Sequence, residues 1–194
     1  MSDQKSEKGH QTYIINLIGG PGCGKSVLAA KLFIELKLRN YSVEYVAEYA
    51  KMLTWTKDFE SLNNQYMLTK KQFDLFKKID GAVDFIITDG PLVHGLYYNR
   101  HNRDNTSNID KTEDFILKCH SEFRNINIFL KRGEFAYEKA GRIQTEEQAQ
   151  EIDVVLKHVL KQNSVPFTVF ESDIHKSEKI VDHVMKICGL ERTK

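Results

Sequence analysis

The sequence predicts an α/β fold, a five-stranded parallel sheet with helices on both faces. Three observations carry that expectation. Five short apolar runs alternate with stretches of helical periodicity. The runs are continuously apolar, as strands covered on both sides must be. The first run ends in a glycine-rich turn, GGPGCGKS, that opens a helix.

Each element has its own signal. Residues 1–11 begin with the polar MSDQKSEKGH and are expected to be a disordered tail, leaving 12–194 as a single domain. Tyr13–Ile18 reads as a buried strand. Lys25 to about Arg39 is a helix with Leu28, Leu32 and Leu36 inside, Lys31 and Glu35 outside, and Asn40 as its stop. Ser42–Val46 is the second strand, and Glu48 falls just past its end. A long amphipathic helix is expected from about Leu62 to Ile79, with Leu62, Tyr66, Phe73 and Phe76 on its inner stripe. Phe85–Thr88 is the third strand, ending at Asp89. Gly90-Pro91 turns the chain into a short helix from Leu92 to about Asn99, followed by an exposed polar loop. Asp110 and Glu113 have capping-box spacing for a helix to about Phe123. Ile126–Leu130 is the fourth strand. Thr145 and Gln148 cap a helix with Ile152, Val155, Leu156 and Val159 inward. Phe167–Phe170 is the fifth strand, and the last helix turns Ile180, Val184, Ile187 and Cys188 inward before Gly189 stops it.

Right-handed crossovers place every strand's C-terminal end along one edge, where ligands bind. That edge collects the residues with chemistry to offer. Gly19–Ser26 fits G-x-x-x-x-G-K-[ST], a phosphate-binding loop whose glycines let several N–H groups point inward. Gly20, Pro21, Gly22, Cys23, Gly24, Lys25, Ser26 and Val27 are its candidate nucleotide contacts. Lys25 can reach the β- and γ-phosphates, and Ser26 can ligate Mg²⁺. Asp89 ends an apolar strand, where it can hold the metal, contact an acceptor hydroxyl or cap the following turn. Glu48 can take an acceptor proton, bind ribose hydroxyls or pair with Lys51. Arg132 and Arg142 flank a charged segment that can close over phosphates as a lid or stay a solvated loop, with Lys139 a weaker candidate. His94, Tyr97, Tyr98, Asn99 and Arg100 follow Asp89 and are candidates to line an acceptor pocket or to belong to the core.

Composition narrows the classes. With 41% hydrophobic content, 194 residues bury a core without disulfides or a structural metal. A formal net charge of +1 gives no general attraction to nucleic acid, although Arg100, His101 and Arg103 form a local strip. Cys23, Cys119 and Cys188 have neither paired nor metal-ligand spacing, which suits a reducing cytoplasm. No run reaches the length of a membrane span, and no signal-peptide core is present.

GGPGCGKS, EYAK at Glu48–Lys51, TDGP at Thr88–Pro91 and GRIQTEEQAQEID at Gly141–Asp153 together resemble the NadR-type P-loop kinases. That family includes ribosylnicotinamide kinase domains and small phage-encoded ATPases and nucleoside or nucleotide kinases. The resemblance covers about Tyr13 to Leu190. It implies strand order 2-3-1-4-5 and a lid after the fourth strand. It also implies ATP in the loop, Mg²⁺ near Ser26 and Asp89, and an acceptor between Glu48, Asp89 and the lid. Two stretches depart from the pattern: Lys51 stands where arginine is frequent, and PLVHGLYYNRHN differs from the nicotinamide-riboside version.

Three functions follow from this reading. The first is an ATP-dependent phosphotransferase acting on a nucleoside-like or nucleotide acceptor. The second keeps the chemistry and moves it to a hydroxymethylated pyrimidine in DNA. The third is a non-catalytic NTP-binding switch. An AAA+ motor is disfavoured, because one domain of this size leaves little room for a helical lid domain.

Overall fold

The computed structural model describes residues 12–133, 135–137 and 144–190. Strands β1 (Tyr13–Ile18), β2 (Val43–Val46), β3 (Phe85–Thr88), β4 (Arg124–Lys131) and β5 (Thr168–Glu171) form one sheet in the order β2-β3-β1-β4-β5. Every pairing is parallel, with Ile15 opposite Ile87 on one side and Ile126 on the other.

Strand alternation decides which helices cover which face. Ile15 and Leu17 point to the face packed by α1 (Lys25–Leu38) and α8 (Ser177–Cys188), through Leu28, Leu32, Ile180 and Val184. Ile14 and Ile18 point the other way. There they meet the side chains of α4 (Gln65–Lys77), α5 (His94–His101), α6 (Ile109–Ser121) and α7 (Glu146–Gln162). Asn16 lies between them on that second face and is buried. Its amide donates to Asn125 and Asn127 across β4, both at 2.9 Å, so the polar group has partners inside the sheet. Among the described residues, no helix is long and apolar enough to cross a membrane.

The strands and most helices lie within a few residues of their expected positions, and the Thr145–Gln148 capping box is present. Five expectations need correction. The region expected to be one helix from Leu62 is preceded by α2 (Tyr49–Thr56) and α3 (Phe59–Leu62), which the periodicity did not reveal. Asp58 and Asn64 cap α3 and α4, breaking the run into separate pieces. The inner stripe of α4 is Leu68, Thr69, Gln72 and Phe76, while Tyr66 stays exposed against Phe115. Asn108, not Asp110, caps α6, because its side chain accepts from Lys111 N–H at 3.0 Å. On α8, Val181 and Met185 turn inward with Ile180 and Val184, and Ile187 faces out. Glu35 also differs from expectation: it is half-buried, paired with Lys31 at 3.0 Å and accepting from the Ser177 hydroxyl at 2.8 Å.

Candidate functional site

The glycine-rich loop lies between β1 and α1, and its backbone follows from its residue types. Gly22 and Gly24 have φ of 77° and 84°, where a Cβ would be strained. A Cβ on Gly24 would also lie 2.5 Å from the Phe135 ring and 2.6 Å from the Ser172 hydroxyl. Lys25 opens α1, and its Nζ donates to the Gly19 and Gly20 carbonyls at 2.8 and 2.9 Å. The ammonium thus lies over the loop it is expected to serve. Cys23 is buried, with its carbonyl accepting from Ser172.

Ser26 and Asp89 meet at the adjoining strand end. The Ser26 hydroxyl donates to Asp89 Oδ2 at 2.5 Å, and the Glu48 backbone N–H donates to Asp89 Oδ1 at 3.1 Å. Asp89 is buried, so these bonds compensate a carboxylate that would otherwise be costly to desolvate. The two oxygen donors suit Mg²⁺, which takes few protein ligands and completes its shell with water and phosphate oxygens. The pair therefore fits that ion. Lys51 Nζ donates to Ser26 Oγ at 3.3 Å, beside the same site.

Glu48 occupies the position before α2, two residues past the end of β2 and close against Gly90. A Cβ on Gly90 would lie 2.6 Å from Glu48 Cα, so glycine lets the two strand ends approach. Both carboxylates line one cleft of about 1210 Å³ that begins at Lys25 and Ser26. Its lining also includes Trp55, Phe59, Tyr97, Tyr98, His101 and Arg103. Burial, reinforced by the Glu48 charge, pushes the Tyr98 phenol well above its usual range and keeps it neutral.

The remaining candidates divide. Arg132 is committed to the rear of the loop: Nε donates to Asp153 at 2.5 Å, and Nη2 donates to the Pro21 and Ala149 carbonyls at 2.8 and 2.9 Å. Asn99 is buried and ties down the 102–108 loop through its bonds to Asn105 and Ser107. Arg100 pairs with Glu113. Lys139 and Arg142 lie outside the described residues.

Three more side chains belong here: His94, expected at an acceptor pocket or in the core, and Asp153 and Tyr45, to which motif reading gave no role. His94 is buried and its Nε2 accepts from Gly19 N–H at 3.2 Å. Burial and the nearby Lys25 charge hold its pKa well below the ordinary value, so the ring is the neutral acceptor this bond needs. Asp153 accepts from Gly20 N–H at 2.5 Å. Tyr45, on β2, has its phenol pushed up by burial and by Asp89, with hydrogen bonding to Asp89 and Ser26.

Comparison with known proteins agrees with the fold. A family model described as AAA domain matches residues 14–176. No curated protein matches the sequence. Among solved structures, a NadR protein in complex with NAD and AMP-PNP aligns with a TM-score of 0.68 at 12% identity, covering 97% of this chain and 52% of that one. A NadR protein in complex with NR gives 0.67 at 15% identity, covering 97% and 55%. A deoxyadenosine kinase from M. mycoides with dCMP and a flexible dCDP gives 0.58 at 17% identity, covering 90% and 99%. The chain thus spans about half the length of the NadR structures it matches. At these identities the likenesses establish the fold. The chain belongs to the AAA domain family, with the fold of a NadR-like P-loop kinase domain.

Proposed function

We propose that the protein is an ATP-dependent phosphotransferase acting on a nucleoside-like or nucleotide acceptor. The observation that carries this reading is the single cleft joining Lys25, Ser26 and Asp89 to Glu48 and an aromatic-walled recess. A nucleotide-binding switch has no need of a second carboxylate facing such a recess.

In this reading the loop amides and Lys25 hold the ATP phosphates, and Lys25 leaves the Gly19 and Gly20 carbonyls to neutralise charge on the transferring group. Ser26 and Asp89 would hold Mg²⁺, which would supply neutralisation of phosphate charge. Glu48 accepts the proton of the acceptor hydroxyl. Trp55, Phe59, Tyr97 and Tyr98 supply flat apolar surface for a base-like ring. Arg142 is proposed to reach the transferring phosphate through its planar fork. The modified-DNA reading has no supporting observation.

A phosphate-transfer screen tests the proposal. γ-Labelled ATP is offered with nucleosides, nucleotides, nicotinamide riboside and hydroxymethylated DNA. Label in a nucleoside or nucleotide, lost in Lys25→Ala, is the expected result. Tight ATP binding with label in none of them would establish the switch reading instead, and label in DNA alone would move the acceptor there.

A further inference from the structure

The phosphate loop is glycine-rich, and a chain of glycines has much conformational freedom to lose. Binding a polyphosphate tightly therefore requires something to fix the loop beforehand. The loop is held from the side facing the protein. Its Gly20 N–H donates to Asp153 Oδ1 at 2.5 Å, and the other oxygen of the same carboxylate takes Arg132 Nε at 2.5 Å. Arg132 Nη2 then returns to the loop at the Pro21 carbonyl, 2.8 Å away, and holds α7 through the Ala149 carbonyl at 2.9 Å. Two consecutive loop residues are thus closed into one ring of hydrogen bonds with the end of β4 and the middle of α7.

The ring leaves no spare space. A Cβ on Gly20 would stand 2.6 Å from the Ala149 carbonyl, 2.8 Å from Asp153 Oδ1 and 2.9 Å from Arg132 Nη2. Glycine at this position is required by the clamp behind the loop. The side chains of Arg132 and Asp153 are only 19% and 16% exposed, so their charge-assisted bonds are little weakened by solvent. Gly19 N–H is also held by a side chain, the neutral His94 ring on α5.

We propose that Asp153 is a positioning residue for the phosphate loop, acting with Arg132 as a rear clamp that presets it for polyphosphate. The inference rests on reading Gly19–Ser26 as the polyphosphate cradle. It gives Arg132 a different task from that of a lid arginine, because the guanidinium acts through the Pro21 carbonyl and Asp153.

Charge and geometry make opposite predictions here. Asp153→Ala removes a negative charge behind an anion site, so electrostatics alone would tighten binding. Loss of the clamp weakens it. The experiment is calorimetric titration of the full chain with magnesium and inorganic triphosphate, a probe that engages the loop without a base or an acceptor. Thermal unfolding is followed in parallel. Asp153→Ala should raise the triphosphate Kd by about 10-fold or more, as expected for loss of a charge-assisted hydrogen bond in a shielded site. Arg132→Lys keeps the charge but loses the fork, so it should give a smaller rise and tests the clamp even if Asp153→Ala does not fold. A Kd that is unchanged or tighter in a folded variant, whatever its melting temperature, overturns the proposal and leaves the kinase reading standing. Failure of the wild-type chain to bind triphosphate overturns both.

Discussion

Ser26 Oγ lies 2.5 Å from Asp89 Oδ2 and donates to it, joining the first turn of α1 to the end of β3. The two oxygens of the proposed cation site are therefore already neighbours, and the Glu48 N–H steadies the other carboxylate oxygen. Asp89→Asn keeps the size of the side chain and removes the charge. We expect it to weaken magnesium-dependent nucleotide binding by roughly 10- to 100-fold, the scale of a lost charge-assisted interaction in a buried site. Raising Mg²⁺ should recover part of the loss. Titration of ATP at several Mg²⁺ concentrations checks this, and affinity equal to wild type throughout would remove Asp89 from the metal.

Glu48 holds Asp89 through its backbone, so its side chain can be changed without cutting that link. Glu48→Gln should therefore leave MgATP affinity close to wild type. Transfer to the acceptor should fall by about 10²- to 10⁴-fold, the usual range for loss of a general base. Separate measurement of ATP binding and turnover decides the matter. Abolished ATP binding with acceptor binding intact would reverse the assignment.

The placement of the glycine-rich loop, Asp89 and Glu48 at one sheet edge was legible because it follows from short-range patterns: glycine spacing, or an acidic residue at or just past the end of an apolar run. The parallel sheet was legible for the same reason. The contacts of Asp153 and His94 were not: His94 was expected only at an acceptor pocket or in the core, and which loop amide each faces is set by the packing of α7 and α5. Tyr45 looks like an ordinary strand aromatic until β2 is placed beside β3, where Val46 stands opposite Thr88 and brings it to Asp89. Helices α2 and α3 escaped notice because each is short, and α2 buries Leu53 alone, too little for a periodic signal. The stripe of α8 was misjudged by the choice between Ile187 and Val181, which only packing against α1 decides.

Trp55 and Phe59 are 60% and 50% exposed, yet both line the cleft. Exposed rings contribute little to the core, so their removal should cost little stability. Trp55→Ala is expected to raise the acceptor KM by about 10-fold, consistent with loss of one base–aromatic stack. The KM for ATP and the melting temperature should change little. An unchanged acceptor KM would place the base-like ring elsewhere in the cleft.

The stability of the fold should fall as the solution becomes mildly acidic, through histidines whose pKa full or partial burial lowers. Burial lowers the His120 pKa to about 4, and His94 and His183 are also held below their ordinary value by burial. In the unfolded chain these rings titrate near 6.5. Between that value and the folded pKa, the unfolded state binds more protons, so unfolding becomes easier as pH falls. The contribution vanishes above about pH 6.5, where both states are neutral, and for His120 it is complete below about pH 4. His120 alone can cost up to about 3 kcal/mol across that window, and less to the extent that its ring keeps some solvent contact. Asp58, Asp173 and Glu171 act in the same direction but only below about pH 4.5, because their pKa values are lowered from ordinary values of 3.8 and 4.5. Urea unfolding at steps between pH 7.5 and 5 therefore isolates the histidines. His120→Gln should flatten the decline in that window while leaving stability near pH 7.5 within about 1 kcal/mol of wild type. A variant that loses stability with falling pH as steeply as wild type would show that His120 takes up its proton as readily in the folded chain as in the unfolded one.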